Sequence, residues 1–183
     1  RVGDQCMTVF PEDDVVIEVS KGGDFSSKFI EGVYDEVIDP REVALLRTCA
    51  KQQSAAKYGQ LSDDDFLMAL GLAARDQTGR IRLNIAGLLL VGRKDVLERT
   101  LPQAEIALIS YRTSTQLDRE EFIKLPLLSA LNRVTALVEP YNTKLTLSTG
   151  LSEISIPRLP DEVLREALLN ALAHRDYSVD GTV

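Results

Sequence analysis

Apolar positions recur three and four residues apart in five stretches and alternate singly in shorter runs between them, so the chain predicts helices interspersed with strands. Asp39-Pro40 supplies a cap and a first helical residue, and Val43, Leu46 and Ala50 follow at helical spacing, which predicts a helix from 40 to about 53. Ser62 caps a second helix. Asp63, Asp64 and Asp65 lie at the positive end of its dipole, Phe66, Leu67 and Leu70 face inward, and Gly71 ends it. The longest apolar run, Ile85 to Val91, predicts a buried helix stopping near Gly92. Pro126 opens a fourth helix to about Glu139, with an inner stripe of Leu127, Leu131, Val134, Val138 and Tyr141. Pro160 opens a fifth, with Asp161 and Glu162 in its first turn and its end near Arg175.

Between these lie the strands. "DDVVIEVSKGGDFSSKFIEGV" breaks at Gly22-Gly23 between two β-prone runs and has too few apolar residues to fold without a neighbour. "ARDQTGRIRL" predicts a tight hairpin turning at Gln77-Thr78-Gly79. Residues 104 to 112 predict a strand with "LDREEFI" beside it, and "KLTLS" and "SEISIPR" a hairpin about Thr149-Gly150. "DGTV" is a turn leading into a further strand. The fold class is therefore α+β, with helices packed on a mainly antiparallel sheet. Residues 1–38 form an acidic extended segment, and 39–183 the α+β domain.

Residues 40 to 85 follow the outline of a winged helix-turn-helix, but a DNA reader needs Arg, Lys, Asn or Gln at the start of its recognition helix. Here that helix opens on three aspartates, which phosphates repel, so packing is the expected role. Gly87 to Lys94 resembles a phosphate-binding loop only superficially. Gly92 is followed by Arg93, Lys94 and Asp95, with no hydroxyl placed for magnesium, and the residues between the glycines are Leu-Leu-Leu-Val.

Charge sharpens the picture. Of the net −7, all falls in residues 1–40, which carry Arg1, Lys21 and Lys28 against ten acidic residues. The remaining chain is neutral and offers no broad basic face for a phosphate backbone. Cys6 and Cys49, with a single histidine, cannot make a standard four-ligand zinc site, and a reducing, cytoplasmic compartment is expected. No apolar run is long enough to span a membrane. Without a starting Met or a signal peptide, the chain reads as part of a longer protein.

The chemistry concentrates in "REALLNALAHRDY". Val163, Leu164, Ala167, Leu168, Ala171 and Leu172 form an apolar stripe, and Glu166, Asn170 and His174 lie four apart beside it. A carboxylate and a carboxamide one turn apart can orient water, act as general base, or complete the oxygen shell of a magnesium ion that holds phosphates. Such residues are equally at home on the solvated flank of an amphipathic helix, and His174, Arg175 and Asp176 can simply close the helix.

"LPDEVLREALLNALAHRDYSVDGT" resembles the signature of a family of bacterial and archaeal transcriptional regulators with Schlafen AlbA-like and RecG-related C-terminal domains. "LNIAGLLLVGRKD", "GGDFSSKFIEG", "DPREVALLR" and "RVGDQC" resemble further parts of it. The family's helix is similar to the first motif of the GHKL-type ATP-binding fold. The resemblance implies that Glu166 contacts the reacting water, that Asn170 is the magnesium ligand, and that His174, Arg175 and Asp176 belong to the family's own extension at the ATP site. It implies ATP and Mg2+ as cofactors in a longer parent, with hydrolysis left open. Nucleic acid would be contacted through a domain outside this chain, and a homo-oligomer is compatible with it. The adenine-binding Asp motif and glycine-rich lid of that fold are missing between the helix and Val183, and no helicase motif is present. A non-catalytic scaffold or dimerisation module with a degenerate motif is the alternative.

Overall fold

The computed structural model describes residues 24–149, 152–179 and 181, with backbone alone for 52–57, 147–149 and 152–154. The Gly22-Gly23 turn, most of the acidic arm, Cys6, Gly150, and Asp180, Thr182 and Val183 of "DGTV" lie outside the described residues. What is described is an α+β arrangement around two hydrophobic cores, with three separate two-stranded antiparallel hairpins where the sequence suggested one sheet.

The first core gathers residues from Ile30 to Ala104, joined from afar by Tyr177. A 3-10 turn at Phe25–Ser27 leads to the short helix α1, Tyr34–Val37. This segment is woven into the core. Ile30 N–H donates to Leu83 O at 3.0 Å, and Arg93 N–H donates to Val37 O at 2.7 Å. Helix α2, Pro40–Tyr58, starts as expected, with Asp39 Oδ1 accepting from Arg41 N–H at 2.9 Å. It runs five residues past the predicted end, because Lys51 to Lys57 are tolerable helix formers and no glycine or proline intervenes before Gly59.

Helix α3, Asp63–Ala69, is capped by Ser62 Oγ, which accepts from Asp65 N–H at 3.1 Å, and it buries Phe66 and Leu67 completely. Gly71 follows with φ +71°, the left-handed conformation that ends a helix at least cost. Arg47 ties α2 to α3. Its guanidinium meets Asp63 Oδ1 at 2.5 Å, donates to Tyr58 O at 3.1 Å, and lies 4.4 Å from the centre of the Phe66 ring.

Strands β1, Ala73–Arg75, and β2, Ile81–Leu83, form the predicted hairpin. Asp76 Oδ1 organises its turn by accepting from Thr78 N–H, Thr78 Oγ1–H and Arg80 N–H. Helix α4, Ile85–Val91, is the buried apolar run. Asn84 caps it by accepting from Gly87 N–H at 2.8 Å, while its amide donates back to Gly71 O at 2.8 Å. A Cβ on Gly87 would stand 2.5 Å from Leu72 O and from Leu83 Cδ1. This glycine therefore lets helix and strand approach closely. It does not cradle a phosphate.

Helix α5, Lys94–Thr100, closes the first core with Val96 and Leu97. Strands β3, Ile106–Tyr111, and β4, Leu117–Ile123, pair antiparallel and begin the second. Helix α6, Leu127–Val138, packs on them through Ala130, Val134 and Leu137. The predicted inner stripe is corrected here. Val134 is buried and Leu127, Leu131 and Val138 are partly covered, but Ala130 and Leu137 complete the face. Tyr141 is 46% exposed in a 3-10 turn, because Pro140 cannot donate into a continuing helix.

Strands β5, Lys144–Thr149, and β6, Ser152–Pro157, form the third hairpin. Asn142 pins its base by exchanging two hydrogen bonds with the backbone of Leu159, at 2.7 and 2.9 Å. Helix α7, Asp161–Ala173, comes last. Among the described residues no helix is long and apolar enough to cross a membrane.

Candidate functional site

Helix α7 carries the candidates, and its packing differs from its pattern. Of the predicted stripe only Leu172 is buried. Leu164 and Leu168 are half-buried, Ala167 and Ala171 face solvent, and Val163 is 54% exposed. The helix is attached mainly through its C-terminal half.

The predicted pair is brought together. Asn170 Nδ2 donates to Glu166 Oε1 at 3.2 Å across one helical turn, on an exposed face. Among the described residues no cation pairs with Glu166, and the Asn170 amide oxygen has no protein donor. His174 follows at the helix end. Its backbone N–H donates to Asn170 O at 3.1 Å and its ring is exposed.

Arg175 and Asp176 leave this face. The Arg175 guanidinium donates to Gln103 O at 2.5 Å, to Glu105 O at 3.1 Å and to Gly181 O. Asp176 Oδ1 accepts from the Ser178 hydroxyl and the Ser178 N–H, and these bonds hold its carboxyl below the usual range. Glu166 and Asn170 are thus neighbours, while Arg175 and Asp176 are committed to the turn that follows.

Sequence reasoning did not single out Tyr177. Its ring is buried in the first core and its hydroxyl donates to Leu172 O at 2.9 Å; burial pushes the phenol up. Its place in "HRDY" was the available signal. Glu42 had none, because its partner Ser129 is remote in sequence.

Glu166 and Asn170 offer hard oxygen donors, which suit magnesium. Among the described residues no cluster of three or more His, Cys, Asp or Glu could cage a metal ion. Any ion at this face would therefore take most of its ligands from phosphate oxygens and water. An open cavity of about 760 Å³ lies elsewhere, on the first core. Tyr34, Asp35, Asp64, Arg80 and Arg82 are among the residues lining it, and none of the α7 candidates reaches it. The Tyr34 phenol there is pushed well above its ordinary value, by burial first and by Asp64 next.

No curated protein matches the chain. The crystal structure of the DIP2311 protein from Corynebacterium diphtheriae is similar, at 23% identity and a TM-score of 0.63. The match covers all of this chain and 35% of that one, so this chain spans about a third of that protein's length. At this identity the likeness shows the fold alone. A family model described as "Domain of unknown function (DUF8451)" matches residues 15–107; the described part of that stretch supplies most of the first core, and the match stops just inside β3. The chain belongs to that DUF8451 family.

Proposed function

We propose that α7 is one wall of a magnesium–nucleotide site in an ATP-binding transcriptional regulator of the cytoplasm, and that the first core couples this wall to a nucleic-acid module elsewhere in the protein. The observation that carries this reading is the Glu166–Asn170 contact across one helical turn, with no cation neutralising the carboxylate among the described residues; the face itself is open, so the other walls of the site would have to come from outside the described residues. In this role Asn170 Oδ1 would hold Mg2+ and Glu166 would orient the water. The ion would supply charge neutralisation for the phosphates. The family resemblance of "REALLNALAHRDY" adds to the reading, and the three aspartates at the start of α3 would repel a phosphate backbone there. The test is calorimetric titration of the intact protein with ATP, with and without Mg2+. Magnesium-dependent heat supports the site, and its absence ends the reading.

A specific observation favours a second role, as a dimerisation or scaffold module. The outer face of the β3–β4 hairpin exposes Ile109, Tyr111, Leu117 and Phe122, with Glu120 the charged member opposite Ile109. Contiguous exposed apolar faces of this kind mark interaction surfaces. Light scattering separates the two roles: a dimer indifferent to nucleotide is the signature of the second.

A further inference from the structure

The motif "HRDY" contains two residues, Arg175 and Tyr177, that lie outside the residues of the family match and whose contacts lie away from the Glu166–Asn170 face. Arg175 forms no ion pair among the described residues. Its guanidinium is spent on backbone carbonyls: Gln103 at 2.5 Å, Glu105 at 3.1 Å, and Gly181. Gln103 and Glu105 flank Ala104 of the first core and immediately precede Ile106 of the second. Arg175 therefore grips the connection between the two cores from the end of α7.

Tyr177 closes the loop of contacts. Its ring is buried in the first core and lies 5.1 Å from the Arg175 guanidinium. Its hydroxyl donates to Leu172 O at 2.9 Å, and the Leu172 side chain is buried in the second core. In return, Gln103 Nε2 donates to Tyr177 O at 2.8 Å. Because the partners are main-chain carbonyls, these bonds fix chain geometry and do not merely balance charge. A planar fork with several donors can meet carbonyls lying in different directions, which a lysine ammonium does poorly.

We propose that Arg175 and Tyr177 are positioning residues that set the pose of α7, and with it Glu166 and Asn170, against the first core. Resting on the nucleotide reading above, the corollary is that occupation of the α7 face is transmitted to the first core through them. The helix is held at this end, so a pose set here is carried two turns back to Glu166.

Hydrogen–deuterium exchange on the intact protein tests this, using wild type, Arg175→Lys and Tyr177→Phe, each with and without ATP and Mg2+. Without nucleotide, both variants raise exchange at residues 168–173 by about tenfold or more, while Leu88 to Val91, deep in the first core, keep wild-type rates. Unchanged exchange at 168–173 in both variants overturns the proposal. An equal rise at 88–91 also overturns it, since that is general loss of stability and not loss of pose. With ATP and Mg2+, wild type gains protection at both 168–173 and 101–106. Tyr177→Phe binds with affinity within about threefold of wild type but gains protection at 168–173 alone. A Tyr177→Phe protein that binds and still protects 101–106 overturns the transmission. If no protein binds ATP, the nucleotide reading fails, and the nucleotide-free comparison still decides the positioning role.

Discussion

The Ser129 hydroxyl donates to Glu42 Oε1 at 2.5 Å across 87 residues of sequence, and leaves Glu42 Oε2 buried with no hydrogen-bond partner among the described residues. Glu42 lies in the first turn of α2 and Ser129 in that of α6, so the bond joins the first core to the second. Burial raises the Glu42 carboxyl and Asp39 adds to this, while Ser129 partly opposes them. Facing it, α4 carries no charged residue, and the nearest α6 cation, Arg133, is engaged with Glu121.

The sign of the pH dependence follows from that raised value. The folded protein holds the Glu42 proton at pH values where the unfolded chain, titrating near 4.3, has released it. Stability from this group is therefore greatest at low pH and falls as pH rises through the folded value. Glu42→Gln keeps an acceptor for Ser129 and removes the charge. It should flatten this part of the profile and raise the melting midpoint at pH 7 by about 2 °C, a small effect because the site is only half-buried. Melting of both proteins between pH 4 and 8 checks it, and a lower midpoint for Glu42→Gln at pH 7 would contradict it.

Gly87→Ala places a methyl group where Leu72 O and Leu83 already stand at 2.5 Å. Backbone on one side leaves little room to yield, so overpacking should cost about 1–3 kcal/mol. Denaturant unfolding measures this directly. A neutral substitution would mean that α4 and β2 can separate freely.

Arg47 and Asp63 form an unequal pair. The Arg47 side chain is 16% exposed and that of Asp63 is 65% exposed. Asp63→Asn removes a largely solvated charge and should cost less than about 1 kcal/mol. Arg47→Ala also removes the Phe66 contact and the bond to Tyr58 O, and should cost about 1–3 kcal/mol. Equal losses in the two variants would show that the ion pair alone matters.

Much of the local structure was legible because its causes are local. Asp39-Pro40, Ser62 with its three aspartates, Gly71 and the Asp76–Gly79 turn each act within a few residues, and each stands where the sequence put it. The apolar run before Gly92 was legible as a buried helix for the same reason. Tertiary facts were not. The α6 stripe shifted because Pro140 stopped the helix before Tyr141, and the α7 stripe is largely uncovered because little of the described chain packs against it. At the candidate site, four-residue spacing predicted the Glu166–Asn170 contact, since both side chains ride one helix. It could not predict that Arg175 would turn away, because its carbonyl partners at Gln103 and Glu105 lie 72 and 70 residues back.

The most direct test of the central claim uses Mn2+ in place of Mg2+, with ATP, and follows the protein by NMR. The paramagnetic ion broadens nuclei close to it. If Asn170 holds the ion beside Glu166, the Asn170 side-chain amide and the backbone amides from Glu166 to His174 broaden only when ATP and Mn2+ are both present, and Asn170→Ala abolishes the effect without unfolding α7. Broadening confined to other parts of the chain, or the same broadening in Asn170→Ala, contradicts the account.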